Sequence, residues 1–198
     1  MENKLKLITD TFGKEKFKVD EPVSNHVESN AGGPAKLFFV AHSPREIIRI
    51  VTEARKLKVP FLVFGTGSKI LISDHGFNGL VIKNRTKNIT VVGVKGKVSS
   101  KGVGVEEALI EIDSGVSMSA LIEFLSKQGL RSEEFLGISG TLGGNLFINS
   151  YLQSVVKHIK VLNQEVEVEE IRVNDLSLRK HIVLSAVLKL YAKRRISA

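Results

Sequence analysis

The amino-acid sequence predicts an α+β fold divided into two lobes. In the first half of its 198 residues, a helical pattern separates two short apolar runs, which is the order of a strand–helix–strand unit. The last third is dominated by alternating or continuous apolar runs, which are typical of strands. We expect a polar leader with little apolar content over residues 1–20, a first lobe over residues 21–85 and a second lobe over residues 86–198.

The first lobe contains the clearest helix signal. After an irregular stretch that ends at Gly32-Gly33-Pro34, Lys36–Ala41 has the apolar content of a strand. The segment Ser43-Pro44-Arg45-Glu46 combines a Ser N-cap, Pro at the first helical position and Glu at the third. Apolar residues continue at helical spacing up to Pro60, and Phe61–Phe64 is predicted as the next strand.

The second lobe is mostly strand, with one helix. Ser117 is placed as the N-cap of that helix, with Val116 and Leu121 as a hydrophobic staple around it and Gly129 as its C-terminal glycine. Residues 95–105 have the turn-rich composition of an exposed hairpin. The remaining predicted strands of the chain are Leu80–Ile82, Ile89–Val94, Ala108–Ile112, Val155–Leu162, Val166–Val173 and Ile182–Leu190.

Composition excludes several classes of protein. The chain has no cysteine, and therefore no disulfide framework, thiol nucleophile or thiolate metal site. No apolar run approaches the roughly 18 residues that cross a bilayer, and the N-terminus lacks the apolar core of a signal peptide. We therefore expect a cytoplasmic protein with no membrane partner. The net charge of +8 suits an anionic ligand, but nucleic acid is disfavoured because the basic residues are scattered, except in Lys189–Arg195.

A glycine-rich turn follows the predicted strand Phe61–Phe64. Its sequence, Gly65-Thr66-Gly67-Ser68-Lys69, suggests a phosphate-binding loop. A nucleotide-triphosphate loop would need a hydroxyl residue after the lysine, and the dinucleotide pattern would need a third glycine at the same position. Ile70 stands there, so the sequence fits neither pattern. A tight turn between buried strands remains the alternative.

A second glycine cluster strengthens the binding hypothesis. Residues 137–144 contain four glycines, each of which costs roughly 0.5–1 kcal/mol in chain entropy relative to alanine, so such density normally serves a close backbone approach. Ser139, Thr141 and the surrounding N–H groups could hold pyrophosphate oxygens, and this loop could face the first across a crevice. A strand corner that simply needs glycine is the alternative.

Three groups of motifs together resemble one family, in order and from about residue 20 to Leu190. The motifs are Ser24…His26…Gly32-Gly33-Pro34-Ala35; Val59-Pro60…Gly65-Thr66-Gly67-Ser68…Leu71-Ile72-Ser73-Asp74…Gly76-Phe77-Asn78-Gly79; and Glu134-Phe135-Leu136-Gly137…Gly140-Thr141-Leu142-Gly143-Gly144…Asn149. The family is the UDP-N-acetylenolpyruvoylglucosamine reductases (UDP-N-acetylmuramate dehydrogenases), and the sequence resembles their FAD-binding part.

The resemblance implies a two-lobed FAD-binding domain of the vanillyl-alcohol-oxidase (PCMH) type, without the family's third, substrate-binding domain. FAD is the implied cofactor and no metal is implied. Valine substitutions at Gly67 or Gly143 are expected to remove flavin without unfolding the chain. The implied FAD-binding residues are Gly65, Thr66, Gly67, Ser68, Lys69, Ile70, Ser139, Gly140, Thr141, Gly143, Gly144, Asn145, Asn149 and Val183.

Departures from the family pattern bear on catalysis. Lys69 stands where the family usually has Asn, and Ser139 where it usually has Pro. A Tyr-Arg-x-Ser segment is absent near residues 176–181, and the family's catalytic serine and glutamate belong to the third domain. Tyr151 is a poor replacement acid because a tyrosine pKa lies near 10. The histidines are dispersed, and Asp74-His75 fits a turn better than a catalytic pair.

The sequence therefore predicts an FAD-binding oxidoreductase module with no catalytic residue of its own. Such a module is expected to be incomplete as a single chain, and a partner chain that supplies a substrate domain is one way to complete it. Two alternatives stay open at this point. One is a degenerate scaffold that no longer binds flavin and serves protein interactions, and the other is a basic nucleic-acid binder.

Overall fold

The computed structural model describes residues 1–99 and 102–193, together with their side chains outside positions 97–103. Within it the chain forms two compact units, Met1–Thr86 and a second that begins at Lys87. Each unit contains one β-sheet and its own helices, so the predicted α+β class is confirmed.

The first unit has a four-stranded sheet in the order β1-β2-β4-β3. Strand β1 pairs antiparallel with β2, whereas β2, β4 and β3 are parallel neighbours. Its elements are α1 (Glu2–Phe12), β1 (Phe17–Pro22), β2 (Pro34–Ala41), α2 (Pro44–Lys56), β3 (Phe61–Phe64) and β4 (Phe77–Asn84), with 3₁₀ turns at Lys14–Lys16 and Val23–His26.

Helix α2 begins where the sequence predicts. The Ser43 hydroxyl accepts a hydrogen bond from the Glu46 N–H at 3.3 Å, and the Glu46 carboxylate accepts one from the His42 N–H at 2.7 Å. The apolar face buries Ile47, Ile50, Val51 and Ala54. Since β2 and β3 are parallel and connected through α2, they form the predicted strand–helix–strand unit, with β4 inserted between them.

The structure differs from the polar leader predicted over residues 1–20. Leu5 and Ile8 of α1 are buried, and β1 adds an antiparallel edge strand to the sheet. The sequence obscures this strand because its burial pattern shows one buried residue, Phe17, among charged residues. These first residues therefore belong to the first compact unit.

The second unit has a five-stranded antiparallel sheet in the order β5-β6-β9-β7-β8. Its buried core combines strand residues such as Ile110 and Ile159 with Leu121 of the helix and Phe135. Its elements are β5 (Ile89–Ser99), β6 (Gly102–Asp113), α3 (Met118–Lys127), α4 (Leu142–Asn145), α5 (Ser150–Val155), β7 (Val156–Leu162), β8 (Val168–Ile171) and β9 (Ile182–Tyr191), with 3₁₀ turns at Glu133–Phe135 and Val173–Asp175.

Local signals in the second unit are largely as predicted. The Ser117 hydroxyl caps α3 by accepting from the Ala120 N–H at 3.2 Å, and Gly129 follows the helix with φ +69°. The predicted hairpin is formed by β5 and β6, although residues 100 and 101 lie outside the described part of the chain. The strand predicted over Val166–Val173 is shorter, because Val166 lies in a turn with φ +68°.

Candidate functional site

The first glycine turn lies at the carboxyl edge of the parallel strands. Strand β3 ends at Phe64, and residues 65–76 then run without a helix or strand until β4 begins at Phe77. In parallel sheets, ligands bind beyond the carboxyl ends of the strands. The predicted residues Gly65, Thr66, Gly67, Ser68, Lys69 and Ile70 are therefore at the edge where a ligand is expected.

Gly67 is required by the packing of this turn. It is buried and has φ +77°, a conformation that residues with a Cβ rarely adopt. A Cβ built on it would lie 2.5 Å from Val27 Cγ1 and 2.8 Å from Val27 Cα. The turn can follow this path, directly against the Val27 backbone, only because Gly67 has no side chain.

The backbone of the turn retains hydrogen-bonding capacity. Within residues 1–99 and 102–193, the N–H groups of Thr66, Gly67, Ser68 and Ile70 donate no hydrogen bond to the protein. Partly buried N–H groups normally have an acceptor, and phosphate oxygens are suitable ones. The first turn thus fits a pyrophosphate ligand, although it follows neither of the common nucleotide-binding patterns.

The second glycine loop is organised by Asn145. Its side-chain amide is buried and donates to the carbonyl oxygens of Ser139 at 2.9 Å and Thr141 at 3.0 Å. The Gly140 carbonyl accepts from the Met118 N–H at 2.9 Å, which attaches the loop to the start of α3. Asn145, predicted as a cofactor-binding residue, therefore also fixes the shape of the loop.

Gly143 is closely packed, whereas Gly144 has open space beside it. The Gly143 N–H donates to the Ser114 carbonyl at 2.9 Å, and a Cβ on Gly143 would lie 2.9 Å from Ser114 Cβ. Gly144 is exposed, and the nearest atom to its Cβ would be the Thr141 hydroxyl oxygen at 3.9 Å. In this loop, Gly144 thus leaves a side open on which a ligand could lie against the backbone.

Asn149 and Val183 also have structural roles. The Asn149 side chain caps α5 by accepting from the Leu152 N–H at 2.7 Å, and the Asn149 N–H donates to the Asn145 carbonyl at 2.8 Å. Val183 lies in β9 and is buried in the core that also contains Leu142. The structure joins Asn149 to the second loop through Asn145. The two glycine loops belong to different compact units.

A cluster beneath the first turn was not found from the sequence. The His26 ring stacks on Phe38 with centroids 4.2 Å apart, and its Nε2 lies 2.7 Å from the Glu21 carboxylate. Hydrogen bonds from Lys18 and His26 lower the pKa of Glu21. The ammonium of Lys83, in β4, donates to the His26 carbonyl at 3.0 Å. The sequence offers only a weak signal for this cluster, a lysine that follows the apolar residues Leu80, Val81 and Ile82.

The other candidate chemical groups offer little for catalysis. Tyr151 packs edge-to-face on Phe135 at 5.2 Å, and burial raises the pKa of its hydroxyl, which weakens it further as an acid. Asp74 and His75 are exposed in a turn closed by the Gly76 N–H and the Ser73 carbonyl at 2.8 Å. Among the described residues, no cluster of histidine and carboxylate side chains is arranged to hold a metal.

The fold and the first glycine turn together indicate a nucleotide-binding class of protein. The sequence matches the FAD binding domain family over residues 35–169, which is more than half of the chain. The chain belongs to this family, and FAD, the cofactor predicted from the sequence, is its cofactor. No described helix has the length and apolar character needed to cross a membrane.

Comparison with individual proteins confirms the resemblance in the sequence. The chain is 29% identical over 194 residues to the UDP-N-acetylenolpyruvoylglucosamine reductase of Clostridioides difficile (strain 630). The match includes 90% of this chain but 60% of that enzyme. The chain therefore spans less than two thirds of the length of this curated relative.

Solved structures confirm the fold. The UDP-N-acetylenolpyruvylglucosamine reductase of Thermus caldophilus superposes with a TM-score of 0.62 and 18% identity, over 90% of this chain and 62% of that one. p-Cresol methylhydroxylase superposes with a TM-score of 0.66 and 13% identity, over 99% of this chain and 45% of that one. The fold is thus shared with FAD-binding domains of the predicted type.

Proposed function

We propose that this chain is the flavin-binding part of an oxidoreductase related to the UDP-N-acetylenolpyruvoylglucosamine reductases. On this proposal the 198 residues bind FAD but do not complete the reduction of the enolpyruvyl nucleotide sugar on their own. The supporting observation for FAD binding is the first glycine turn at the carboxyl edge of a parallel sheet, where four N–H groups have no acceptor among the described residues: those of Thr66, Gly67, Ser68 and Ile70. A cytoplasmic location is part of the same proposal.

The residues of the first turn would bind the pyrophosphate. The N–H groups of Thr66, Gly67, Ser68 and Ile70 would donate to its oxygens, as backbone amides do in other phosphate-binding loops. No metal is needed for such binding, since amide dipoles interact favourably with the anionic oxygens.

The second loop, taken by itself, also has the properties of a loop that contacts FAD. Gly140 and Gly144 carry N–H groups that donate to no acceptor within the described residues, and Gly144 has open space on its Cβ side. Asn145 would hold the loop in its binding shape through its two hydrogen bonds. Bound FAD supplies hydride-transfer chemistry, while the protein binds and orients it.

The first test is whether the purified chain binds FAD. Apo protein should quench flavin fluorescence on titration with FAD, and saturating FAD should raise its melting temperature. A concentration of FAD 100 times the dissociation constant corresponds to a stabilisation of about 2.7 kcal/mol. Riboflavin, which lacks the pyrophosphate and adenosine, serves as the control ligand and should bind much more weakly.

The outcome also decides between the proposal and its main alternative. A chain that shows neither a spectral change nor thermal stabilisation with saturating FAD would be a scaffold that has lost the cofactor. Nucleic-acid binding gains no support from the basic C-terminal segment within the described residues. Lys189 pairs with Glu107 at 2.8 Å and Lys193 with Glu133 at 2.9 Å, so these two cations are already neutralised by carboxylates.

A further inference from the structure

We propose that the ammonium of Lys83 is a cation of the FAD site, which attracts the pyrophosphate held by the first glycine turn. This inference rests on the proposed function and adds a residue outside the glycine loops. Its basis is a partly buried, positively charged side chain beside a turn in which the N–H groups of Thr66, Gly67, Ser68 and Ile70 have no acceptor among the described residues.

The strand pattern places Lys83 on the face of the sheet that the turn covers. Val81, two residues earlier in β4, therefore shares its face, and Val81 packs with Val27 and Phe38 in one buried cluster. Lys83 itself is the register partner of Phe64, the last residue before the turn. The lysine thus lies at the carboxyl edge of the sheet, where the first glycine turn begins.

A path of short contacts connects the ammonium to Gly67. Lys83 Nζ lies 3.0 Å from the His26 oxygen, and a Cβ on Gly67 would lie 2.8 Å from Val27 Cα. Since the His26 oxygen and Val27 Cα belong to one peptide unit, they are roughly 3 Å apart, which places Nζ within roughly 10 Å of Gly67. The screening length at physiological salt is about 8 Å, and screening is much weaker for partly buried charges, so the half-buried Lys83 ammonium can act over this distance.

Among the described residues, no carboxylate neutralises the charge of Lys83. The nearest cluster contains Glu21, but that carboxylate is engaged by Lys18 at 2.9 Å and His26 at 2.7 Å. In the part of the chain that the structure describes, no carboxylate lies within ion-pair distance of Lys83. Burial lowers the pKa of Lys83, and Arg85 adds to this effect by repulsion. The two negative charges of a bound pyrophosphate would raise the pKa of Lys83 and so oppose both effects.

The test measures FAD affinity in the full chain after the charge is removed. Lys83→Met keeps the apolar stem, and Lys83→Gln keeps a hydrogen-bond donor without a charge. Both variants should weaken FAD binding by about tenfold at about 20 mM salt, and by less at about 300 mM salt, because the lost interaction is electrostatic. Lys56→Met is the matched control, since Lys56 is an exposed lysine at the end of α2, and it should leave the affinity unchanged.

A second ligand distinguishes a charge effect from a structural one. Riboflavin has no phosphate, so its affinity should be the same in the wild type and in Lys83→Gln. Equal losses for FAD and riboflavin, or an FAD affinity unchanged by both substitutions, would overturn the role of Lys83 while leaving FAD binding intact. Absence of FAD binding by the wild-type chain would overturn both this inference and the proposed function.

Discussion

The glycines of the two loops serve different physical purposes. Gly67 combines a positive φ with contact against the Val27 backbone, so the fold leaves no room for a side chain at this position. Gly143 is similarly close to Ser114. Gly144 has neither constraint: a Cβ there meets nothing nearer than 3.9 Å. A glycine at this position has no reason in the packing of the described residues, which is consistent with close approach of a ligand.

At Gly144, we expect substitution by valine to separate binding from folding. The added side chain would enter the open space beside the loop, so FAD affinity should fall at least tenfold. The free energy of unfolding should change by less than about 0.5 kcal/mol, since valine has a slightly better helix propensity than glycine. FAD titration and thermal unfolding of the apo protein measure the two effects.

The matched comparison is Gly67→Val, which the sequence suggested as a folding-neutral test. The structure argues against that expectation, because a Cβ would clash with Val27 and the backbone would be strained. We expect a loss of about 2–5 kcal/mol in the free energy of unfolding, from left-handed strain and overpacking. A Gly67→Val protein as stable as the wild type would show that the turn does not pack as described.

Lys83 illustrates what residue patterns alone do not reveal. A single lysine in the strand sequence Val81-Ile82-Lys83-Asn84 is ordinary for a strand that ends near solvent. Its importance depends on the His26 carbonyl, 57 residues earlier in the chain. The glycine turns were predictable because their composition is locally unusual, whereas this contact depends on tertiary structure.

At the scale of elements, capping and periodicity predicted the helices well. Helix α2 has a Ser N-cap, Pro at its first position and a regular apolar face, so several local signals agree. Strand β1 carries no such pattern, since as an edge strand it buries little beyond Phe17. Its pairing with β2 is a tertiary interaction that the alternation of its side chains does not encode.

Strand β8 is shortened by a strained turn, which gives a prediction about stability. Val166 has φ +68°, although a β-branched residue is unfavourable in this region. Val166→Gly should increase the free energy of unfolding by about 0.5–1 kcal/mol, because relief of strain exceeds the entropy cost of glycine. The urea-unfolding midpoint measures this change.

A control for this substitution lies two residues away. Val168 is exposed and lies inside β8, where glycine weakens a strand. Val168→Gly should therefore lower the midpoint. If both substitutions lowered it, the conformation of Val166 would not be a source of strain.

At the scale of the whole molecule, each compact unit contains one of the two glycine loops. The family match begins at Ala35 in the first unit and ends at Glu169 in the second, so both units belong to the FAD-binding domain. The prediction of two lobes rests on the sequence, in which the strand–helix–strand pattern and the strand-rich pattern occupy different parts. The chain corresponds to 60% of the length of the reductase from Clostridioides difficile.

We expect the isolated 198-residue chain not to catalyse NADPH oxidation with the enolpyruvyl nucleotide sugar. The resemblance assigns the proton-donating serine and the late glutamate to a domain beyond the matched part, and Tyr151 is a weak acid with a raised pKa. The measurement is NADPH absorbance with FAD-loaded protein, with a complete reductase as the positive control. Sustained substrate-dependent turnover would contradict the proposal that this chain is incomplete.

The strand order of the first sheet has a consequence for how the protein is made. Strand β4 is the last strand of its unit to leave the ribosome, yet it lies between β2 and β3 and is the hydrogen-bonding neighbour of both. Until residue 84 is available, β3 has no partner and the glycine turn between β3 and β4 has only one end anchored. The first glycine turn must therefore form late in folding, after the central strand has been inserted.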